Sequence, residues 1–356
     1  MKILQLVQKP QMRGAEMFAS QLSTHINTLG HEAQLVFIYP GEAPLPFSGK
    51  KHHIYGHSKK KFFDIAAWKR LAAIIKAEKP DIIQANAGDT LKYAVFSKLI
   101  FRWKQPIVFR NASTISLYIK SSSAKLLNGF FFSFCKKIIS VSHLSAKDFK
   151  ALYPKFTNRT VVIPVGIDSI EKLQSDEKLT GEPAILHVGG FSFEKNHREL
   201  ISIFELFLRT YPKAQLHLVG DGPLKNSIEK LVNEKNLEAC VHFYGFRKDA
   251  PVFMQKADCL VLPSVIEGLP GVILEAFACS LPVVANDVGG IHEIVRNKET
   301  GFLVAKGDIN AFCEAMVQQV ASPNALMKEK ALNLVNNEYQ NNKIAEKFII
   351  EYRNLL

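Results

Sequence analysis

The sequence lacks the features of disulfide-rich, zinc-binding and membrane-spanning proteins. Its five cysteines are scattered, mostly in apolar segments, and no two of them have the CxxC spacing of a zinc site: Cys135, Cys240, Cys259, Cys279 and Cys313. We therefore expect buried, reduced thiols in a cytoplasmic protein. No segment approaches the roughly 20 apolar residues of a membrane-spanning helix. The apolar part of the N-terminal MKILQLVQKP is too short for a signal peptide and predicts a first strand.

Acidic residues are scarce in the first half of the chain. Residues 1–165 contain 25 Lys and Arg but only 8 Asp and Glu, a net charge of +17. The remainder contains 20 against 25, a net charge of −5, which returns the +12 of the whole chain. A basic half favours an anionic partner such as a bilayer surface, a lipid phosphate or a nucleic acid. The alternative is a soluble domain that is merely basic.

The order of apolar segments predicts two domains. The 356 residues suffice for two domains of ordinary size, and 47% hydrophobic residues support two cores. Strand-like segments alternate with helical patterns, which predicts parallel sheets covered on both faces. We place a first domain at 1–165, a polar linker at 166–183, a second domain at 184–337 and a C-terminal helix at 338–356.

The most informative segment is SVIEGLPGVILEAFACSLPVVAND, in which a turn and a helix join two buried strands. Glu267 lies in the turn and Glu275 in the second turn of the helix. A helix N-terminus attracts phosphate, whereas carboxylates prefer hydroxyl partners. Phosphate and hydroxyls together describe a nucleotide sugar. The alternative is that one glutamate is a helix N-terminal charge and the other a solvated surface residue. Residues suited to close ligand approach or to a first helical position surround them: Gly268, Pro270 and Gly271.

The segment EGLPGVILEAFACSLPVVA resembles the E-x7-E signature of retaining glycosyltransferases, most closely glycosyltransferase family 4. The resemblance implies the GT-B fold, in which two Rossmann-like domains face a cleft. It also implies that Glu267 contacts the donor sugar and Glu275 the nucleotide ribose. The likeness is strongest from about Ala184 to Val304 and weaker across residues 1–165, where acceptor specificity normally lies.

A second motif of the family concerns donor phosphate. FSFEKNHREL resembles a segment in which Arg is followed five residues later by Lys, so Lys195 matches the Lys but Gly190 stands at the Arg position. Lys195 near a helix N-terminus would neutralise a leaving diphosphate, although a surface lysine is the alternative. The donor-binding residues implied by these motifs and turns are Gly14, Gly189, Gly190, Lys195, Gly220, Glu267, Gly268, Leu269, Pro270, Gly271, Val272 and Glu275.

The first domain carries fewer family features. Gly14 lies in RGAE, where the family has a Gly-Gly-x-Glu-like turn near the donor phosphates; a simple turn glycine is the alternative. RNAST follows a predicted strand at the ligand-binding edge of the sheet. It contains Arg110 and Asn111 where many members have a His, so no His role carries over and both become acceptor-side candidates. An ordinary loop Arg is the alternative for Arg110.

Two other segments of this domain combine lysine with aromatic residues. In KKHHIYGHSKKKFF no cysteine or carboxylate accompanies His52, His53 and His57, so we predict a solvated loop that faces a membrane or an acceptor, without metal. In KLLNGFFFSFCKK the aromatic cluster 130–134 suits a helix lying on a membrane. The alternative, a helix buried in the core, would explain the same residues.

The resemblance implies an enzyme, a retaining hexosyltransferase. Its donor is expected to be a nucleotide sugar, UDP-linked rather than GDP-linked, and its acceptor a lipid-linked, polysaccharide or other glycan. Glu267 and Lys195 would be catalytic, with no cofactor or metal besides the donor. A nucleic acid partner is not expected, whereas an inner-leaflet membrane surface fits the basic half, which places the protein in the cytoplasm, peripheral to the membrane.

Two alternatives remain. A nucleotide-sugar epimerase of the same architecture would need acid–base carboxylates and histidines facing the sugar, and no clear set is present. A non-enzymatic protein that binds nucleic acid or an anionic surface would explain the charge, but no recognised nucleic-acid module is visible.

Overall fold

The computed structural model describes residues 1–57, 59, 63–171 and 179–356. Contacts divide the chain into two units, of which the first comprises Met1–Asp168 with Gln340–Leu356 and the second Ser169–Tyr339. The predicted linker and the segment KKHHIYGHSKKKFF lie partly outside the described residues. The prediction that this segment is a loop is wrong at its start, where Lys51–His53 form a strand. In the described part of the chain, every helix is too short or too polar to span a bilayer.

The first unit is built on a parallel sheet of seven strands in the order β3-β2-β1-β4-β5-β6-β7. The central strands are buried because helices cover both faces, and they are rich in Ile, Leu and Val as such strands require. The strands are β1 (Lys2–Val7), β2 (Glu32–Phe37), β3 (Lys51–His53), β4 (Ile82–Ala85), β5 (Ile107–Asn111), β6 (Cys135–Ser140) and β7 (Thr160–Val162).

Five helices connect these strands, and polar side chains begin three of them. Asp64, Ser121 and Ser142 each accept a hydrogen bond from a backbone N–H in the first turn, which satisfies a donor that the helix leaves free. The helices are α1 (Gly14–Thr28), α2 (Ile65–Glu78), α3 (Gly88–Phe101), α4 (Ser122–Ser133) and α5 (His143–Leu152).

The second unit repeats the plan with six parallel strands in the order β10-β9-β8-β11-β12-β13. The strands are β8 (Ala184–Val188), β9 (Gln215–Val219), β10 (Val241–Gly245), β11 (Cys259–Leu262), β12 (Val283–Asn286) and β13 (Phe302–Val304). The helices are α6 (His197–Phe207), α7 (Lys225–Glu234), α8 (Ala250–Met254), α9 (Gly271–Ala278), α10 (Ile291–Ile294), α11 (Ile309–Ala321) and α12 (Ala325–Glu338).

The last helix, α13 (Asn341–Arg353), belongs to the first unit and packs on α1. The rings of Phe348 and Phe18 lie 6.0 Å apart, and the Tyr352 hydroxyl donates to Gln84 Oε1 at 2.5 Å. A buried hydroxyl needs such a partner, so Tyr352 anchors the end of the chain to β4.

The prediction of two Rossmann-like parallel-sheet domains is confirmed. In each sheet the strand order reverses once, between β1 and β4 and between β8 and β11. Loops leave the two strands in opposite directions at such a point and open a crevice at their carboxyl ends, which is where ligands bind in this class of sheet.

All five cysteines are free thiols.

Candidate functional site

The two residues predicted to be catalytic meet at the crevice of the second unit. Lys195 follows β8 and Glu267 follows β11, the two strands at the reversal point. The Lys195 Nζ atom donates to Glu267 Oε1 at 2.6 Å. The side chains keep 21% and 11% of their surface exposed, so both remain open to a ligand.

Hydrogen bonds to backbone carbonyls join the segments that carry these residues. The Val265 N–H donates to the Glu194 carbonyl at 2.8 Å, and Asn196 Nδ2 donates to the Pro263 carbonyl at 3.3 Å. Asn196 has a left-handed φ of 54°, which ends the short turn Phe193–Lys195 and starts α6. The position of Lys195 is therefore set by the backbone.

The turn after β12 also contacts the segment that carries Glu267. The Gly290 N–H donates to the Gly268 carbonyl at 2.6 Å. Gly289 has a φ of +57°, and a Cβ atom there would lie 2.0 Å from the Glu267 carbonyl oxygen. This close approach requires glycine.

The N-terminus of α9 opens onto free space. Pro270 is the N-cap residue rather than the first helical residue, which is Gly271. A Cβ atom on Gly271 would meet no atom within 4 Å. The start of α9, beside Leu269 and Val272, thus has room for an anion, although the Ile273 N–H already donates to the Pro270 carbonyl at 3.2 Å.

Glu275 lies one turn further along α9 and is half-buried. Burial raises the pKa of its carboxyl to about 7. At neutral pH such a carboxyl is present in both forms, so it can accept a hydrogen bond from a ligand hydroxyl or donate one to it.

The glycine turns have different structural roles. Gly220 has a φ of +148°, and a Cβ atom there would lie 2.0 Å from the Gly189 carbonyl oxygen, so it lets the loops after β8 and β9 approach each other. Gly190 is exposed, and its Cβ atom would meet the Asp221 carbonyl at an ordinary 3.4 Å. The absence of a side chain at position 190 is therefore not imposed by the backbone.

Two buried histidines next to Lys195 were missed by the sequence analysis. The rings of His187 and His197 lie 4.6 Å apart, and His197 stacks on Phe191 at 4.0 Å. Burial lowers the pKa of His187 to about 4 and that of His197 to about 2, so both are neutral. The sequence signal that could have identified them is their position next to motif residues, with His187 just before Gly189 and His197 just after the Lys195 turn.

In the first unit the prediction that the strand ends before Arg110 is wrong, because β5 continues through Arg110 and Asn111. Asn111 is buried, and its Nδ2 donates to Ser140 Oγ at 3.2 Å. It therefore joins β5 to β6.

Arg110 is 3% exposed, and its guanidinium lies 4.3 Å from the Phe18 ring centroid. Its Nε and Nη1 atoms have no hydrogen-bond partner among the described residues. Burial lowers its pKa to about 10. A buried guanidinium without a hydrogen-bonded carboxylate is unusual, because the lost hydration is not replaced.

The RGAE turn begins α1. A Cβ atom on Gly14, its first residue, would meet nothing within 4 Å. Glu16 is buried, and its carboxylate accepts from Gln11 Nε2 at 2.7 Å. Burial raises the pKa of Glu16. Groups of three or more His, Cys, Asp or Glu that suit a metal are absent from the residues that the structure describes.

Two family models match the chain in succession. Residues 12–170 match the model described as Glycosyltransferase Family 4, and residues 168–341 match Glycosyl transferases group 1.

Individual relatives differ in how much of the chain they match. N-acetyl-alpha-D-glucosaminyl L-malate synthase of Bacillus anthracis is 24% identical over 98% of this chain and 95% of its own length. UDP-Gal:alpha-D-GlcNAc-diphosphoundecaprenol alpha-1,3-galactosyltransferase of Escherichia coli is 33% identical over 40% of this chain and 35% of its own length. The match with an uncharacterized glycosyltransferase of Methanocaldococcus jannaschii, at 27% identity, covers 61% of this chain and 58% of that protein.

The fold also has solved counterparts. The crystal structure of Anabaena Alr3699/HepE in complex with UDP-glucose superposes with a TM-score of 0.84 over 100% of both chains, at 21% identity. That likeness establishes the shared fold. With two consecutive family models spanning residues 12–341, the chain belongs to glycosyltransferase family 4.

Proposed function

We propose that this glycosyltransferase transfers a hexose from a UDP-sugar to a lipid-linked or polysaccharide acceptor with retention of the anomeric configuration. The observation that carries the proposal is the Lys195–Glu267 pair at the strand reversal, beside the accessible N-terminus of α9. A cation and a helix N-terminus attract diphosphate, and carboxylates attract sugar hydroxyls.

The donor and acceptor classes are supported by the relatives. Alr3699/HepE was solved with UDP-glucose, and the Escherichia coli relative is a UDP-Gal-dependent transferase to a diphosphoundecaprenol-linked acceptor. We extend both properties to this chain. With a lipid-linked acceptor, we expect the enzyme to act at the cytoplasmic face of a membrane.

Different residues of the site bind the different parts of the donor. Lys195 and the N–H groups at the start of α9 stabilise the diphosphate as it accumulates negative charge and leaves. Glu267 accepts hydrogen bonds from hydroxyls of the transferred sugar, and Glu275 binds those of the ribose. Glu267 also orients Lys195 through their hydrogen bond.

Retention follows if the acceptor attacks from the side of the leaving group. The bond between the anomeric carbon and the phosphate oxygen breaks, and the acceptor oxygen forms a new bond to that carbon on the same face. The acceptor proton passes to the departing diphosphate oxygen. No protein base is needed, and the neutral, buried His187 and His197 are unsuited to that task.

Binding measurements test the donor first. UDP, GDP, ADP and their sugar conjugates are compared by thermal shift and calorimetry, because a ligand that binds only the folded protein raises its stability. We expect a UDP-sugar to stabilise the protein most. A lack of response to every nucleotide sugar would contradict the proposal.

Product analysis tests the reaction. With a UDP-hexose and an undecaprenyl-diphosphate-linked acceptor, NMR of the new glycosidic bond should show the donor's anomeric configuration. An inverted product would refute retention. Conversion of the donor without any acceptor would indicate an epimerase instead.

A further inference from the structure

The helix α4 presents an exposed apolar row on the first unit. Leu126 is 78% exposed, Leu127 43% and Phe130 45%, whereas Phe131 and Phe132 are buried in the core. The aromatic cluster that the sequence analysis treated as one segment is thus divided between core and surface. Burial of large apolar side chains is favourable, so a row left exposed needs an explanation.

The row continues along α4, and the neighbouring helix α3 exposes further apolar side chains. Leu126 and Phe130 are four residues apart and lie on one side of the helix, and the rings of Phe130 and Phe134 are 5.2 Å apart. The end of α3 adds Leu99 and Ile100, which are 45% and 47% exposed.

The two helices are in contact, since the rings of Phe96 and Phe131 lie 5.3 Å apart. We call the surface formed by Leu99, Ile100, Leu126, Leu127 and Phe130 the apolar face.

The sequence around this face is rich in lysine and arginine and poor in acidic residues. Residues 90–147, which cover α4 and all but the first two residues of α3, contain ten Lys and Arg and no Asp or Glu, and Asp89 is the acidic residue of the first turn of α3. Burial, and after it the proximity of Lys136, lower the pKa of Lys98 near the end of α3 to about 8. The exposed members of the group are Arg102, Lys104, Lys120, Lys125, Lys136 and Lys147.

Apolar side chains with a cationic border favour an anionic lipid surface. Leucine and phenylalanine enter the boundary of the acyl chains, and lysines attract acidic headgroups. A nucleic acid would use the lysines but would leave the leucines in water.

The apolar face begins near the edge of the sheet where the acceptor is expected. The chain leaves the carboxyl end of β5, exposes Leu117 and Tyr118 at 48% and 54%, and then enters α4 at Ser122. Because α4 returns the chain to the start of β6, it runs back along the sheet from that edge.

We propose that the apolar face and its cationic border dock the first unit on an anionic lipid bilayer. Docking would bring the carboxyl edge of the first sheet close to the membrane, from which a lipid-linked acceptor would reach it. The delivery of the acceptor rests on the proposed function, whereas the docking does not.

Vesicle flotation tests the docking in the absence of any substrate. The full-length protein is mixed with phosphatidylcholine vesicles, with and without phosphatidylglycerol, at low and at high salt. We expect binding to the anionic vesicles that weakens as salt rises. The variant L126S/F130S should bind them at least about tenfold less, since two inserted apolar side chains are lost.

The matched control is Leu326→Ser, because Leu326 is a 59% exposed leucine on α12 of the second unit. It should bind vesicles like the wild type. Both variants should keep the wild-type Tm and UDP affinity, which separates lost docking from unfolding.

Three results would overturn the docking proposal: equal binding to neutral and anionic vesicles, full binding by L126S/F130S, or binding to duplex DNA with none to vesicles. With the lipid-linked acceptor, L126S/F130S should lose activity that a short-chain, water-soluble analogue retains. Normal vesicle binding by a protein that accepts no nucleotide sugar would refute the proposed function and leave the docking intact.

Discussion

Lys195 Nζ lies 2.6 Å from Glu267 Oε1, although 72 residues separate the two in the chain. Each therefore has a charged partner within the protein. A diphosphate that binds beside Lys195 competes with the carboxylate for the ammonium group. The hydrogen bond thus couples Lys195, which binds the leaving diphosphate, to Glu267, which we assign to the sugar.

Replacing Lys195 should mainly affect the diphosphate. We expect Lys195→Met to lower kcat/KM by about 10²–10³, the usual loss when one stabilising group for developing charge is removed. Calorimetry should show weaker binding of UDP but unchanged binding of uridine. Lys330→Met, at an exposed lysine of α12, is the control and should bind both normally. Equal losses for UDP and uridine would contradict the assignment of Lys195.

The stability of the second unit should depend on pH through Glu275. Its pKa is raised to about 7, so the unfolded chain loses this proton at a lower pH than the folded one. The folded state then binds more protons between the two pKa values, and stability falls as pH rises through that range. The loss is nearly complete at about pH 7 and levels off above it, where we expect it to reach about 3 kcal/mol.

Urea unfolding of the wild type and Glu275→Gln at several pH values checks this. The variant should lack this part of the pH dependence and become the more stable protein above about pH 7. The control is Glu234→Gln, at an exposed glutamate that ends α7, which should follow the wild type. Parallel curves for the wild type and Glu275→Gln would refute the raised pKa.

Gly190 offers a test by gain of function. Its Cβ atom would make only an ordinary contact, so an arginine side chain fits at this exposed position. We expect Gly190→Arg to raise the affinity for UDP about tenfold through a charge-assisted hydrogen bond to phosphate. Gly190→Ala serves as the control and should bind like the wild type. Unchanged UDP affinity in a folded Gly190→Arg variant would mean that the diphosphate lies elsewhere.

Gly289 and Gly271 should respond in opposite ways to the same change. Gly289→Ala places a Cβ atom 2.0 Å from the Glu267 carbonyl and should cost more than about 2 kcal/mol of unfolding free energy. Gly271→Ala meets no neighbouring atom and should leave stability intact. It should nevertheless weaken donor binding, because the methyl group obstructs the approach to the N-terminus of α9. Full donor affinity in Gly271→Ala would show that the donor does not reach that turn.

Substitution of Arg110 should affect acceptor binding without reducing stability. Arg110→Met removes a buried charge that lacks hydrogen bonds on two nitrogens, so we expect the folded state to be unchanged or more stable. If Arg110 binds an anionic group of the acceptor, KM for the acceptor should rise while UDP affinity is unchanged. Arg110→Lys tests whether charge alone is sufficient. A large loss of stability in Arg110→Met would instead indicate a structural role.

Much of the fold could be predicted from the sequence because its signals are local. Alternating apolar segments and helical patterns identified two parallel sheets, and the spacing of Glu267 and Glu275 lies within one turn and helix. The family resemblance rested on the same contiguous segments. Such patterns require no knowledge of which strands become neighbours.

Only the tertiary structure decided which residues meet and which side chains face outward. The pairing of Lys195 with Glu267 depends on β8 lying beside β11, which no local pattern encodes. The apolar run from Phe130 to Phe132 has no periodicity, so packing against α3, β5 and α5 determined which rings are buried. Arg110 was expected in the segment that follows the strand, yet strand pairing with β6 extends β5 through Arg110 and buries it. Local chemistry thus determined the elements, and long-range contacts determined the site.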